Sequence, residues 1–154
     1  MASPARARPV ADAPPDFVED YLLYLLARAS MGASAQFHAI VKRKGLSVLE
    51  WRVLGQLASG AASVGLLAER ALSQQPTLTK VLDRMAADGL VVRLGDTADR
   101  RRVLLRLTDK GRQLADELVP LAREHEARVL AGYPPREAAA LKRALKTLIA
   151  RTGG

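Results

Sequence analysis

The chain has 154 residues, with no cysteine, two histidines and only 4% aromatic residues. This length is typical of one domain whose core needs no disulfide or metal. The missing cysteines exclude disulfides, thiolate nucleophiles and cysteine-based zinc sites, and the few aromatics argue against a stacking platform for single-stranded nucleic acid. The 24 lysine and arginine residues exceed the 16 acidic residues and give a net charge of +8. A small basic domain indicates a polyanionic partner, either nucleic acid or an acidic membrane surface.

The first 15 residues have no pattern typical of a folded element. They hold four of the eight prolines, with alanine and arginine between them, and we expect a disordered arm over residues 1–15. No apolar segment follows the early arginines, so the arm is not predicted to be a secretory signal. No apolar run reaches the roughly 18 to 20 residues of a membrane span. We therefore expect a cytoplasmic protein with no membrane association.

Residues 16–45 follow a helical pattern. Asp16 is the predicted N-cap, with Glu19 three residues later, and Gly45 is typical of a helix C-terminus. The run from Tyr21 to Ala27 is apolar at every position, so it covers the whole circumference of a helix. A chain of this size has little with which to cover such a helix. We therefore expect a second subunit to cover it, which predicts a homodimer.

Three shorter helices are predicted over residues 46–89. Ser47 and Glu50 form the pattern of a capping box at the start of the first, and Ser63 is the predicted N-cap of the second. Ser73 is the predicted N-cap of the third, from Gln74 to Asp88. This third helix has one apolar stripe with helical spacing, formed by Leu78, Val81, Leu82 and Met85.

The period then changes to that of strands. Leu90–Leu94 and Val103–Leu107 flank a polar turn and predict a β-hairpin. Thr108 is the predicted N-cap of a long helix, and a last helix has an apolar stripe formed by Leu141, Leu145, Leu148 and Ile149. The predicted fold is mainly α with a small β-hairpin wing. It is a winged helix-turn-helix lobe over residues 46–111, flanked by dimerisation helices at 16–45 and 112–154, in a single domain overall.

This order of elements fits double-stranded DNA. The predicted third helix buries its apolar stripe and leaves polar side chains at its N-terminal end, as a recognition helix in the major groove does. An ordinary solvent-exposed polar face is the alternative. The predicted DNA-binding residues of this helix and the turn before it are Ser73, Gln74, Gln75, Pro76, Thr77, Thr79, Lys80 and Arg84.

The hairpin turn carries the densest positive charge of the chain. Arg100, Arg101 and Arg102 follow Asp99, and arginine at a loop tip fits the narrow minor groove of A·T-rich DNA. A carboxylate can hold the planar fork of an arginine in one orientation, which explains an acid in an anion-binding loop. A solvated basic loop is the alternative.

Three segments resemble the multiple antibiotic resistance regulator (MarR) family of winged helix repressors. They are Leu46–Leu54, Leu72–Leu90 and Asp99–Gly111, and the last resembles the wing signature of the family. The resemblance covers residues 16–152. It implies an obligate homodimer with interleaved terminal helices and two wings that read a pseudo-palindrome. It also implies that Asp99 and Arg101 act together.

The same resemblance implies a small effector, commonly a phenolic compound or an aromatic carboxylate, bound between the dimerisation helices and the DNA-binding lobe. The candidate residues here are Arg28, His38, Trp51 and Arg52. Arginine can pair with a carboxylate, and an indole can pack on a ring. The structural alternatives are a core anchor for Trp51, a surface role for Arg52 and a solvated position for His38.

An enzyme and a non-specific DNA-binding protein are the two other classes compatible with a small basic chain. The sequence has no nucleophile elbow, phosphate-binding glycine loop or zinc-protease motif, so we expect no enzyme activity, cofactor or metal site. A non-specific or architectural DNA-binding protein is the remaining alternative. It would share the basic surface but would not need the long flanking helices.

Overall fold

The structure, a computed structural model, describes residues 17–95 and 103–152. The chain divides into two compact units, Met1–Gln36 and Phe37–Gly154. The predicted arm over residues 1–15 and the predicted N-cap Asp16 lie outside the described residues. In the part of the chain that is described, no helix is long and apolar enough to cross a membrane.

Seven helices and three strands are described. The helices are α1 (Phe17–Asp20), α2 (Leu22–Arg43), α3 (Val48–Leu57), α4 (Val64–Ala71), α5 (Gln75–Ala87), α6 (Asp109–Val129) and α7 (Pro135–Thr152), and the strands are β1 (Ala62–Ser63), β2 (Val91–Gly95) and β3 (Val103–Leu107). The predicted class, a mainly helical winged helix-turn-helix fold, is confirmed.

Three of the predicted helix starts are present with their capping hydrogen bonds. The Ser47 hydroxyl accepts from the backbone N–H of Glu50, whose carboxylate accepts from the N–H of Ser47, so the capping box of α3 is complete. The hydroxyl of Ser63 caps α4 and that of Thr108 caps α6. Polar side chains therefore satisfy donors that a helix leaves unpaired at its N-terminus.

The predicted cap at Ser73 is wrong. The N-cap of α5 is Gln74, which makes no side-chain capping bond, and Pro76 stands in the first turn. Ser73 instead completes the end of α4, where its N–H donates to the Ala68 carbonyl oxygen after Leu72 adopts a left-handed conformation with φ of 56°. The turn between the two helices thus uses Ser73 to close the first helix.

The single helix predicted over residues 16–45 is also interrupted. Residue Tyr21 separates the short α1 from α2, although the Tyr21 N–H still donates to the Val18 carbonyl oxygen at 3.3 Å. Gly45 follows α2 with φ of +75°, as the sequence predicts for a residue past a helix end. Within this first unit, Phe17 and Tyr21 stack with ring centroids 5.2 Å apart.

The wing contains one more strand than the sequence predicts. β2 and β3 pair antiparallel from Val91 opposite Leu107 to Gly95 opposite Val103. The two-residue strand β1 pairs with the other edge of β3, which gives the order β1-β3-β2. The extra strand ties the segment before α4 to the base of the wing.

One core lies beneath α5 and the sheet. Its fully buried side chains come from α2, α3, α4, α5, β3 and α6: Val41, Val53, Leu54, Leu57, Leu67, Leu78, Leu82, Met85, Leu105 and Leu118. Three of the four residues of the predicted α5 stripe are in this set, and Val81 packs against it partly buried. The core therefore fixes which face of α5 points outward.

The first turn of α6 approaches the end of α5 closely. The Thr108 hydroxyl donates to the Gly89 carbonyl oxygen at 2.5 Å and accepts from the Gly111 N–H at 3.1 Å. Gly111 is buried, and a Cβ atom there would overlap the carbonyl oxygen of Leu90. Glycine is thus required at this position for reasons of space.

We predict that Gly111→Ala lowers the free energy of unfolding by roughly 2 to 3 kcal/mol, the range of an overpacked buried site. Gly65→Ala is the matched control, because an added Cβ meets nothing within 4 Å there and alanine favours a helix over glycine. Urea denaturation of both variants measures the difference. Equal stability of the two variants would contradict the predicted overlap.

Candidate nucleic-acid interface

The outward face of α5 carries the residues predicted to bind DNA. Gln74, Gln75, Pro76, Thr77, Lys80 and Arg84 are exposed, while Ser73 and Thr79 are half-buried. The Thr79 hydroxyl donates to the Gln75 carbonyl oxygen at 2.9 Å, a bond within the first turns of the helix. The N-terminal half of α5 therefore presents short polar side chains and one lysine to the solvent.

A cleft of about 470 Å³ lies beside this end of α5. It is lined by the start of α4, by Gln75 and Thr79 of α5, and by Arg93 and Val103 at the base of the wing. Arg93 also pairs with Asp83 at 2.5 Å, and about half of each side chain is exposed. The cleft thus brings polar groups and a cation of three different elements together at the outward surface.

Arg84 is not a free cation. Its Nε atom donates to Oε1 of Glu50 at 3.1 Å, and its Nη2 atom forms an ion pair with the same oxygen at 3.0 Å, while the other carboxylate oxygen accepts from the N–H of Ser47 at 2.6 Å. Glu50 is 5% exposed. One buried carboxylate therefore serves both the cap of α3 and a side chain of α5.

Burial raises the pKa of Glu50, but the opposing interactions outweigh it. The hydrogen bonds from Ser47 and the charge and hydrogen bonds of Arg84 hold the pKa of this carboxyl below its ordinary value. Glu50 is therefore ionised at neutral pH, as a partner of arginine must be.

The predicted wing residues Asp99, Arg100, Arg101 and Arg102 lie outside the described residues. The described strands place the ends of their turn at Gly95 and Val103, which form the last pair of the β2–β3 ladder. The roles predicted for these four residues therefore remain a prediction.

Each of the predicted effector residues has its own contacts in the structure. The Trp51 ring packs edge-on against Phe37, with centroids 5.1 Å apart, and lines a cleft of about 280 Å³ between α3 and α6. Arg52 donates to the Ala71 carbonyl oxygen at 3.0 Å, at the C-terminus of α4. His38 is half-buried in α2. Arg28 belongs to the first unit, where its Nη1 donates to the Tyr24 hydroxyl at 3.2 Å.

Sequence reasoning missed several residues of these surfaces. Arg93 has no signal in the sequence beyond its place in a predicted strand. Arg123, which lines the cleft beside Trp51, lies within a run of charged residues that gives no signal of its own. His125 is buried, its ring lies 5.6 Å from that of Phe37, and its Nε2 atom has no hydrogen-bond partner among the described residues. No cluster of three or more potential metal ligands occurs in residues 17–95 and 103–152.

Comparison with known proteins gives a consistent family. The model of the MarR family matches residues 44–102. The homoprotocatechuate degradative operon repressor of Escherichia coli is 39% identical over 98 residues, which are 63% of this chain and 66% of the repressor, so the chain spans just under two thirds of that relative.

Two solved structures are similar over most of this chain. The MarR family transcriptional regulator SPO1453 from Silicibacter pomeroyi DSS-3 is 46% identical, with a TM-score of 0.79, and the match covers 88% of this chain and 97% of that one. BpsR of Bordetella bronchiseptica, whose DNA binding is regulated by 6-hydroxynicotinic acid, is 31% identical, with a TM-score of 0.75 and coverage of 88% and 97%.

The lowered pKa of Glu50 predicts a pH-dependent contribution to stability. Because the pKa is lower in the folded than in the unfolded chain, this contribution is present above the ordinary pKa of glutamate and is lost as the pH falls through the lowered value. We expect Glu50→Gln to destabilise the protein at neutral pH by about 1 to 3 kcal/mol and the difference from the parent to shrink in acid.

Urea denaturation at a series of pH values measures this difference. Glu117→Gln is the control, because Glu117 pairs with Lys44 at the surface and its side chain is 57% exposed; exposed pairs contribute little. If the difference in free energy of unfolding between the parent and Glu50→Gln does not change with pH, the pKa of Glu50 is not lowered in the folded protein.

Proposed function

Because the chain belongs to the MarR family of winged helix-turn-helix transcriptional regulators, we propose that it is a dimeric, effector-released repressor. Family membership makes it a DNA-binding regulator and not an enzyme. In the proposal, the dimer binds a pseudo-palindromic operator in double-stranded DNA and is released by a small aromatic carboxylate or phenol. The proposed site of action is the cytoplasm, where a regulator of this kind would reach double-stranded DNA.

The observation that carries the DNA-binding proposal is the outward face of α5. Leu78, Leu82 and Met85 are buried in the core. The N-terminal residues Gln75, Thr77 and Lys80 are exposed together. Side chains at this end of a recognition helix reach base edges in the major groove, while lysine meets adjacent phosphates.

The dimer is supported by apolar surface in both units. In the first unit, Leu22, Leu23 and Leu25 are exposed by 54, 57 and 47%. In the second unit, α7 has no buried residue, and Leu141 and Ile149 of its predicted stripe are exposed by 41 and 66%. Monomeric proteins rarely leave large apolar patches in water, so a second copy is proposed to cover these residues.

The effector proposal rests on the cleft beside Trp51. Its wall combines the indole, Ala122 and Val119 with the charged side chains of Arg123 and Glu126. An aromatic ring can pack on the indole while a guanidinium pairs with a carboxylate. Two relatives support this class of ligand: one represses a homoprotocatechuate degradative operon, and the other responds to 6-hydroxynicotinic acid. Of the four residues predicted from sequence, Trp51 lines this cleft.

We predict that Ile149→Glu raises the dimer dissociation constant by at least tenfold, because it places a charge in the proposed interface. Thr147→Glu, at an exposed polar position of the same helix, is the control and should remain a dimer. Sedimentation velocity at micromolar concentration measures both. A stable folded monomer of the unmodified chain would contradict the dimer proposal.

We predict that homoprotocatechuate or 6-hydroxynicotinic acid weakens DNA binding of the unmodified protein, because only a ligand with different affinity for two conformations shifts their equilibrium. Arg123→Met should reduce binding of the acid roughly tenfold or more, as expected when hydrogen bonds to a charged group are lost. Arg128→Met changes an exposed arginine of the same helix and serves as control. Isothermal titration showing equal affinity for both variants would remove Arg123 from the site.

Two explanations of the wing predict opposite changes in DNA affinity when Asp99 is replaced. Arg101→Ala should weaken operator binding by roughly 1 to 3 kcal/mol and reduce the salt dependence by about one contact per wing. Asp99→Ala should also weaken binding if the carboxylate orients Arg101, because the freed arginine must then be ordered on binding. Simple electrostatics predicts tighter binding when an acid near DNA is removed.

A double-mutant cycle on a duplex selected from a randomised pool by the unmodified protein decides between them. Losses that overlap support the paired wing, and an Asp99→Ala variant that binds more tightly than the parent identifies a solvated basic loop. The same assay tests specificity, since a repressor should prefer the selected duplex over random DNA by ~10³-fold or more. A smaller ratio would indicate an architectural protein.

A further inference from the structure

The guanidinium of Arg84 has two different edges. The edge with Nε and Nη2 is bound to Oε1 of Glu50, whereas Nη1 takes no part in these bonds. The side chain remains 57% exposed. Arg84 therefore combines a fixed inner edge with an outer edge that a ligand can reach.

The partner of that inner edge is held rigidly. The Glu50 side chain is only 7% exposed, and its second oxygen is bound by the N–H of Ser47 at 2.6 Å. Ser47 begins α3, in which Val53, Leu54 and Leu57 are completely buried. The carboxylate cannot rotate without breaking the cap of α3. Because α3 is anchored in the core, the carboxylate holds the guanidinium of Arg84 in a fixed position relative to the core.

Arg84 also lies on the face of α5 that is proposed to meet DNA. It follows Lys80 by four residues and Thr77 by seven, which is the spacing of side chains on one face of a helix. Seven residues correspond to roughly 10 Å along the axis. Because the N-terminal residues of a recognition helix meet the bases, a cation this far along the helix is placed for the sugar–phosphate backbone.

We propose that Glu50 is a positioning residue for DNA binding, which holds Arg84 so that its outer edge binds a phosphate of the operator. The proposal rests on the proposed function of α5 as a recognition helix. An arginine that is already ordered loses less side-chain entropy when it binds, and its planar fork matches a phosphate only in a narrow range of orientations. A buried acid thereby strengthens binding to a polyanion.

A positioning role for Glu50 and a purely electrostatic role predict opposite effects of Glu50→Gln on DNA affinity. If Glu50 acted only through its charge, Glu50→Gln would tighten binding to DNA. If it served only to cap α3, the variant would be less stable but would lose affinity by the same factor whether or not Arg84 is present. Of the three explanations, only orientation of Arg84 predicts that Glu50→Gln loses affinity when Arg84 is present and not when it is absent.

The experiment compares Glu50→Gln, Arg84→Met and the double variant with the unmodified protein. Glu69→Gln, which removes an exposed acid of α4, is the control for charge. The probe is the duplex selected from a randomised pool by the unmodified protein. Fluorescence anisotropy gives the affinity at several salt concentrations, and circular dichroism establishes that each variant is folded at the assay temperature.

Arg84→Met should lose roughly tenfold or more in affinity and reduce the slope of log affinity against log salt by about 0.9 for each phosphate contact removed. Glu50→Gln should also lose affinity, by a smaller factor and at unchanged slope, because the arginine charge remains near the phosphate but is no longer held in one orientation. The double variant should bind no more weakly than Arg84→Met, and Glu69→Gln should bind at least as tightly as the parent.

Three results overturn the proposal while leaving the proposed function intact: Glu50→Gln binds as well as the parent, it loses the same factor with and without Arg84, or Arg84→Met keeps the parental slope. If Glu50→Gln does not fold, Arg84→Lys replaces it. Lysine keeps the charge but not the paired contact, so its affinity should fall at unchanged slope, and parental affinity overturns the proposal. A parent that retains no duplex from the pool refutes the proposed function itself.

Discussion

The packing of the first turn of α6 against the ends of α5 and α3 is the constraint on which the DNA-binding face depends. Gly111 lets the backbone of α6 approach the carbonyl group of Leu90. In the same turn, Lys110 donates to the Asp88 carbonyl oxygen at 2.8 Å and Arg112 to that of Ala58 at 2.7 Å. Both bonds place a cation at a helix C-terminus, where free carbonyl oxygens and the helix dipole favour it. The long helix thereby fixes the C-terminal ends of two helices of the lobe.

Polar side chains of α3 connect this helix to the two that follow it in the lobe. Glu50 connects the cap of α3 to α5 through a carboxylate that is almost wholly buried, and Arg52 connects α3 to the last carbonyl of α4. The pairs Lys44–Glu117 and Lys142–Glu126 are about half exposed and add little to stability. The polar interactions that shape the interface are therefore those of Glu50 and Arg52, which link α3 to α5 and to α4.

The sequence predicted the elements whose signals are local. A serine or threonine three residues before its capped N–H predicted the starts of α3, α4 and α6, and the spacing of Leu78, Leu82 and Met85 predicted the buried face of α5. The two-residue β1 has no period of its own and depends on β3, which lies about 40 residues later in the chain. The misassigned cap at Ser73 has the same origin: two helix ends compete for one residue, and Leu72 in a left-handed conformation decides between them.

The candidate site follows the same division. The exposed polar residues of α5 were predicted from the amphipathic pattern, because the buried stripe fixes the opposite face. The pairing of Arg84 with Glu50 could not be predicted, because 34 residues separate the two. The capping box already gave Glu50 a role at the start of α3. Arg52, which the sequence predicts to meet a ligand's carboxylate, also has a partner within the fold, because its Nη1 donates to the Ala71 carbonyl oxygen at the end of α4. Residue type and spacing thus predict which side chains are available for binding, whereas the packing of helices decides which of them are already committed to the fold.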